Sequence, residues 1–174
     1  MNVRALAGNL LGLALLATST GSFLMNQKDK AAMRPAAEGK ITQYRVDYAM
    51  AKARARGRYM MVEFGSDWCE DCQALAKNLS AGIVHDYFRD HFDFVFVDIG
   101  HSDRNFEAAE SLGVDLSHGI PAAVFFAPDG QRIGATNHGE LEAARNYSPA
   151  QILEFLQQVT GHRCIINPAI SPQG

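Results

Sequence analysis

Cysteine is scarce in this chain, which limits what its cysteines can do. Three are present among 174 residues, Cys69, Cys72 and Cys164. Three are too few for a scaffold held together by disulfides. A zinc site of the usual kind needs a second Cys or His pair at ligand spacing, and Cys164 stands alone. The chemistry of the cysteines therefore depends on the close pair, Cys69 and Cys72.

An excess of basic residues is also lacking. Lys and Arg number 16 against 19 Asp and Glu, the formal net charge is -3, and the basic residues are dispersed. Such a chain offers no positive surface for a phosphate backbone, which argues against nucleic acid as a partner. The length and the 47% of apolar residues predict one globular domain with one core.

The six histidines lack a metal-binding pattern. None pair at the helical or hairpin spacing of metal ligands, so the sequence predicts no metal site. His118 is the exception among them, because its position three residues before Pro121 allows it to approach the cysteines.

The first 25 residues have little charge. Arg4 is followed by an apolar stretch, residues 6–17, and by small polar residues, 18–22. This order predicts a secretory signal peptide cleaved near Ser22, and export to an oxidising compartment, the bacterial periplasm. The alternative is an uncleaved inner-membrane anchor, because residues 23–25 extend the apolar character. The protein would contact the membrane only in that second case.

The rest of the chain divides into three parts. Residues 26–40 are polar and Ala-rich, contain Pro35 and Gly39 and lack a steady apolar period, and we interpret them as a linker. The folded domain is expected over residues 41–162, and a C-terminal tail over 163–174. Within the domain, the apolar pattern predicts the order helix, strand, helix, strand, helix, strand, strand, helix. Strands that alternate with helices and close in a hairpin indicate an α/β fold with a central mixed sheet between helices.

The apolar runs also place the individual elements. The first helix is expected from Tyr44 to Gly57, and strands are expected at residues 59–64, 92–98, 122–127 and 131–135. The run at 92–98 is almost continuously apolar, which predicts burial on both faces. Ser148 and Pro149 predict the start of the last helix. Its buried stripe is expected to be Ile152, Phe155, Leu156 and Val159.

The pentapeptide Trp68-Cys69-Glu70-Asp71-Cys72 is the most informative feature of the sequence. It lies between a strand and an amphipathic helix, so the first thiol is expected at a helix N-terminus. Free amides and the helix dipole stabilise a thiolate there. Because a thiolate attacks disulfides, this spacing predicts redox chemistry. The alternatives are half of a zinc site and a redox-silent structural disulfide.

Glu63 is an acid within an otherwise apolar strand. Ionising a buried carboxyl group is costly unless the group is paired. Burial should therefore raise the pKa of Glu63. The alternative is that Glu63 points outward at the end of the strand.

Over roughly residues 41–162 the sequence resembles the thioredoxin superfamily. The matching segments are residues 62–72, Gly119-Ile120-Pro121 and the hairpin Pro128-Asp129-Gly130. The chain looks most like exported members similar to the C-terminal reducing domain of the membrane-bound bacterial disulfide reductase. The resemblance implies a thioredoxin fold and a thiol-disulfide oxidoreductase acting on protein substrates. It also implies that no organic cofactor is needed and that a partner protein re-reduces the cysteine pair.

The resemblance implies a chemical role for three residues. Cys69 corresponds to the nucleophile, expected to be the exposed thiol of low pKa. Cys72 corresponds to the buried resolving thiol. Glu63 corresponds to the acid that relays a proton to or from Cys72. The family often pairs this acid with a lysine on the neighbouring strand, and residues 92–99 contain no lysine.

Three further residues are expected around the substrate. Trp68 resembles the tryptophan that packs against the active-site loop, although a core aromatic is the alternative. Pro121 resembles the cis proline that faces the cysteine pair, with a trans proline as the alternative. The backbone of Ile120 would then pair with an extended substrate segment.

Glu70 and Asp71 depart from the better known members of the superfamily. Two carboxylates beside the nucleophile oppose thiolate formation, which favours the reducing direction. One rival is a copper-delivery module in which the thiolates and His118 or His138 hold the metal. Copper chaperones that resemble thioredoxin separate their cysteines by three residues, however, and this chain separates them by two. The other rival is a non-catalytic interaction domain with a structural disulfide.

Overall fold

A computed structural model describes the backbone of residues 27–161 and the side chains of residues 38–161. The expected signal peptide or anchor, residues 1–25, lies outside the described residues. So does the expected tail, residues 163–174, with Cys164. None of the helices in residues 27–161 combines the length and the apolar character needed to cross a membrane.

Helices and strands alternate along the described chain nearly as predicted. The helical stretch after the cysteine motif is divided in two, because Gly82 adopts a φ of 59° and redirects the chain. A short 3₁₀ turn, Ala144–Asn146, precedes the last helix. The elements are α1 (Gln27–Ala55), β1 (Tyr59–Gly65), α2 (Glu70–Leu79), α3 (Gly82–His91), β2 (Phe92–Asp98), α4 (Phe106–Ser111), β3 (Ala122–Phe126), β4 (Arg132–Ala135) and α5 (Pro149–Gly161).

The four strands form one mixed sheet in the order β2-β1-β3-β4. β1 pairs parallel with β2 and antiparallel with β3, and β3 pairs antiparallel with β4. The predicted mixed sheet with a closing hairpin is therefore confirmed. β1 lies between two neighbours, and its last residues lead directly into the cysteine motif.

Alternation along β1 divides the core into two layers. Met61 packs with the layer that contains α2, α3 and α5, whereas Met60, Val62 and Phe64 pack with the layer of α1 and α4. The sheet is thus covered by helices on both faces. The predicted stripe of α5 is confirmed as buried: Ile152, Phe155, Leu156 and Val159.

Residues 27–40, which the sequence pattern led us to interpret as part of a linker, are helical. Helix α1 begins at Gln27 and continues without a break to Ala55. The interpretation relied on Pro35, on Gly39 and on the absence of a steady apolar period, but an apolar period reports burial and not helicity. Ala, Lys, Gln, Met and Arg, which make up most of residues 27–37, are all good helix formers. The domain boundary at residue 41 stays a prediction.

The prediction that β2 is buried on both faces is wrong. Val95 and Val97 are buried against the layer of α1 and α4, but Phe94 on the opposite face is 40% exposed. The reason is position in the sheet: β2 is an edge strand, and α2 and α3 cover its second face incompletely. The open part of that face lies beside the cysteine motif.

Candidate active site at the Cys69–Cys72 disulfide

Cys69 is the N-cap residue of α2, at the junction with β1 that the sequence predicted. A disulfide bond joins it to Cys72, and the Cα atoms are 5.2 Å apart. The backbone N–H of Cys72 donates to the Cys69 sulfur over 3.1 Å. The sulfur therefore lies at the positive end of the helix, where a thiolate would be stabilised after reduction.

Both cysteines are buried in this oxidised state. Cys69 is 6% exposed and Cys72 is 4% exposed, so the expected contrast between an exposed and a buried thiol is absent. The loop before β3 approaches Cys69 closely, because the Cys69 sulfur lies 3.5 Å from the carbonyl oxygen of Ile120. Sequence spacing located both residues but did not show how tightly this loop covers them.

Trp68 lies at the surface beside Cys69. Its side chain is 47% exposed, which rules out the alternative of a core aromatic. The indole Nε1–H donates to the carbonyl oxygen of Gly100 over 2.7 Å, and the ring stacks on His101 with centroids 5.8 Å apart. The Ser66 hydroxyl donates to the same carbonyl over 2.6 Å. These contacts fix the loop that carries the exposed indole.

The Ile120-Pro121 peptide bond is cis, as the resemblance implied. β3 begins at Ala122, whose Cα partner on β1 is Phe64, so the start of β3 lies beside the end of β1. This pairing explains why Ile120, which is distant in sequence, meets Cys69.

Glu63 is buried and points inward, which excludes the alternative of an outward acid. It is 2% exposed. A Cβ atom built on Gly65 would lie 3.1 Å from the Cys72 sulfur and 3.3 Å from Glu63 Oε1. Both atoms therefore lie against Gly65, close enough together for one water molecule to bridge them.

Burial raises the pKa of Glu63 from 4.5 to about 8. Within residues 38–161, no side chain or backbone group forms a hydrogen bond or an ion pair with this carboxyl group to oppose the effect. Its Cα partner on β2 is Phe96, an aromatic residue. The acid is consequently neutral over much of the physiological range.

A cavity of about 480 Å³ connects this acid with the open face of β2. Glu63 and Cys72 lie along it, together with aromatic rings from α3 and β2. Exposed Asp67 and Gln73 also line it, so the cavity reaches the surface. Its other lining residues are Ser66, Ala76, Leu79, Ser80, His85, Phe88, Phe94 and Phe96.

Arg145 is a site residue that the sequence analysis missed. Asp71 is 6% exposed, and its carboxylate accepts from Arg145 Nε over 3.0 Å, from Nη2 over 2.6 Å and from the backbone N–H over 2.9 Å. Arg145 Nη1 also contacts the Glu70 carboxylate. The side-chain hydrogen bond from Arg145 holds the pKa of Asp71 below its usual range although burial opposes this.

This contact corrects the picture of two uncompensated carboxylates beside Cys69. One guanidinium group pairs with both. No local signal could have found it, because Arg145 follows Asp71 by 74 residues and lies in the 3₁₀ turn before α5.

His118 and His138 lie near each other, with ring centroids 6.4 Å apart. Across residues 38–161, no three His, Cys, Asp or Glu side chains are grouped closely enough to hold a metal ion. The two cysteines that the copper alternative requires as thiolates are joined as a disulfide in this structure.

Comparison with known proteins adds to this geometry. A family model described as thioredoxin-like matches residues 40–128, about half of the chain. The thiol:disulfide interchange protein TxlA of Synechococcus elongatus is 38% identical over 82 residues, covering 47% of this chain and 40% of that protein. The chain thus spans less than half the length of this curated relative.

Two solved structures are also similar. The disulphide isomerase from Xylella fastidiosa is 33% identical with a TM-score of 0.65, covering 68% of this chain and 90% of that one. A thioredoxin from Thermus thermophilus is 27% identical with a TM-score of 0.48, covering 65% and 82%. From the family model and the Xylella structure, together with the mixed sheet and the CxxC disulfide, it follows that this chain has a thioredoxin fold and belongs to the thioredoxin-like family.

Proposed function

We propose that this protein is a thiol-disulfide oxidoreductase that exchanges disulfides with protein substrates through Cys69 and Cys72, and that it works in the reducing direction. The observation that carries the proposal is the Cys69–Cys72 disulfide at the N-terminus of α2, beside the backbone of Ile120. The similarity to a protein described as a thiol:disulfide interchange protein supports it.

The exchange takes two steps. The Cys69 thiolate of the reduced protein attacks one sulfur of a substrate disulfide, and the other substrate sulfur leaves as a thiolate that takes up a proton. Cys72 then loses its proton and attacks the Cys69 sulfur of the mixed disulfide. The second substrate sulfur leaves, and the Cys69–Cys72 disulfide forms. Two electrons have passed from the protein to the substrate.

Glu63 relays the proton of the second step. Its carboxyl group and the Cys72 sulfur flank Gly65 within reach of one bridging water. A pKa of about 8 lets this group accept a proton from the Cys72 thiol, whose own reference pKa is about 8.5, without a large free-energy cost. The cavity beside Glu63 provides the route by which the proton reaches solvent.

Substrates bind across Trp68 and Ile120. The exposed indole next to Cys69 offers an apolar surface that a substrate segment can cover. An extended segment then pairs with the Ile120 backbone, whose carbonyl group lies beside the reacting sulfur.

The reducing direction follows from local charge. Glu70 and Asp71 carry two negative charges and Arg145 one positive charge, which leaves a net negative charge beside Cys69. Within residues 38–161, no histidine forms a hydrogen bond with the Cys69 sulfur to favour its thiolate. The reduced form is therefore stabilised less than in a strong oxidant. A partner protein must re-reduce the pair, because an exported protein meets no glutathione pool.

Export belongs to the proposal as well. Residues 1–25 have the order of a signal peptide, and the proposed destination is the bacterial periplasm. The alternative is that the same residues anchor the protein in the inner membrane.

Trapping of mixed disulfides tests the proposed function. Cys72→Ala removes the resolving thiol, so the reduced variant should accumulate a covalent complex with a disulfide-bonded substrate such as oxidised insulin. The matched variant Cys69→Ala keeps one thiol but not the attacking one and should trap no complex. Equal trapping by both variants, or trapping by Cys69→Ala alone, would contradict the assignment of Cys69 as the nucleophile.

A further inference from the structure

We propose that Arg145 is a positioning residue for the cysteine pair: it holds the first turn of α2 in place and supplies the positive charge that allows a thiolate to form at Cys69 beside two carboxylates. This inference rests on the proposed function, in which Cys69 is the attacking thiol. Arg145 is thus a further functional residue of this site, which acts through Glu70 and Asp71 and does not contact the substrate.

The first observation in support is that Arg145 forms several hydrogen bonds with the carboxylates of Asp71 and Glu70. The Asp71 carboxylate accepts hydrogen bonds from two guanidinium nitrogens, Nε and Nη2, and from the Arg145 backbone N–H. The remaining guanidinium nitrogen contacts Glu70. Bidentate pairs of this kind fix geometry as well as charge. A single side chain thus holds both residues that separate Cys69 from Cys72.

The second support is burial. Asp71 lies in the first turn of α2 and is among the few buried charged residues of the described chain. A buried carboxylate without a partner would be strongly disfavoured. Arg145 removes that penalty, so the helix can begin with an ionised acid directly after Cys69.

The third support is the anchoring of Arg145 itself. It belongs to the 3₁₀ turn Ala144–Asn146, whose first residue, Ala144, is fully buried in the core between the sheet and α5. Leu141 and Tyr147, on either side of the turn, are buried in the same layer. The guanidinium group is therefore presented from a fixed segment and not from a mobile loop tip.

Arg145→Met tests the role of the charge while it leaves the backbone hydrogen bond to Asp71 in place. Methionine keeps a long side chain and the backbone N–H that bonds Asp71, but it removes the guanidinium group. The carboxylates of the two residues that follow Cys69 then lack a compensating positive charge, and the pKa of the Cys69 thiol should rise. Adding Glu70→Gln and Asp71→Asn to this variant removes both negative charges. The pKa of the Cys69 thiol should then return to the wild-type value or fall below it.

The test is the pH profile of alkylation of the reduced full chain by iodoacetamide, a neutral probe that Arg145 does not attract. Peptide mapping assigns the label to Cys69 or Cys72. We expect Arg145→Met to lower the rate at Cys69 near neutral pH about threefold to tenfold. The triple variant Glu70→Gln/Asp71→Asn/Arg145→Met should recover it. Arg145→Lys, which keeps a charge without the fork, should lie between wild type and Arg145→Met.

Arg89→Met is the matched control, because Arg89 pairs with Asp86 and Asp90 on the exposed face of α3. It should leave the profile unchanged. A profile of Arg145→Met that superimposes on the wild type would overturn the inference and leave the proposed function standing. Wild-type labelling at Cys72 in place of Cys69 would overturn the proposed function itself. If Arg145→Met does not fold, the triple variant decides: a rate at Cys69 near the wild-type value supports the role of the charge, and a rate that stays about threefold to tenfold lower contradicts it.

Discussion

Glu63 is a buried carboxyl group whose pKa differs clearly from that of a free glutamate side chain. Burial among apolar groups raises its pKa to about 8, and no hydrogen bond or ion pair from residues 38–161 opposes this. Its burial could be predicted from the sequence because the residue interrupts an apolar strand. Arg145 could not be predicted, because its partners are more than 70 residues away and only the folded chain brings them together.

The raised pKa of Glu63 should appear as a pH dependence of stability. The unfolded pKa is 4.5 and the folded pKa is about 8, so between these values the folded state holds a proton that the unfolded state has lost. Stability therefore falls as pH rises through this window. The glutamine of the Glu63→Gln variant stays neutral at every pH. Within this window, the free energy of unfolding of the variant minus that of the oxidised wild type should therefore increase by about 1.4 kcal/mol per pH unit.

Urea unfolding of the oxidised proteins at a series of pH values measures this difference. Glu110→Gln is the control, since Glu110 is exposed on α4 and the same change there should give a nearly constant difference. A Glu63→Gln difference that does not vary with pH would show that Glu63 is ionised in the folded state and would contradict its raised pKa.

Glu63 should also control the second step of exchange. If the carboxylate accepts the Cys72 proton, the rate at which a preformed mixed disulfide resolves should rise as pH approaches about 8. Glu63→Gln should slow this step and flatten its pH dependence, whereas Glu110→Gln should not. Stopped-flow release of a fluorescent thiol from Cys69 follows the step, and unchanged kinetics in Glu63→Gln would rule out the relay.

At the scale of the elements, the junction of β1 and α2 positions the chemistry. β1 brings Glu63 and Gly65 to the end of the central strand, and a short turn then leads to Cys69, the N-cap of α2. This junction was predictable because strand pattern, cysteine spacing and helix pattern follow each other directly. The start of α1 and the open face of β2 were not predictable, since helix propensity alone leaves no apolar period and an edge position depends on the sheet order.

Gly65 should be a sensitive point of this junction. A Cβ atom there would lie 2.9 Å from the Phe96 ring and 3.1 Å from the Cys72 sulfur, so one of them must move. We expect Gly65→Ala to lower the free energy of unfolding by about 1–3 kcal/mol. Gly161→Ala is the matched control, because among residues 38–161, apart from its chain neighbours and the backbone of its own helix, no atom lies within 4 Å of the added methyl group. Equal unfolding midpoints for the two variants in urea would contradict the close packing of Gly65 against Cys72.

At the scale of the whole molecule, the two-layered core and the mixed sheet explain why distant segments share one site. The order β2-β1-β3-β4 puts β3 beside β1, and this pairing places Ile120 next to Cys69. The turn before α5 places Arg145 next to Asp71. Sequence pattern predicted the sheet and its helices. The substrate-facing surface and the charge balance around Cys69 depend on loops, whose placement no local period encodes.

The reduction potential of the Cys69–Cys72 pair tests whether this site passes electrons to substrate disulfides. The net negative charge left by Glu70, Asp71 and Arg145 limits stabilisation of the Cys69 thiolate, and therefore of the reduced form. Equilibration of the protein against defined thiol buffers should give a value nearer the roughly -270 mV of thioredoxin than the roughly -120 mV of a strong periplasmic oxidant. A potential above about -150 mV would contradict the reducing direction and place the protein among the oxidants.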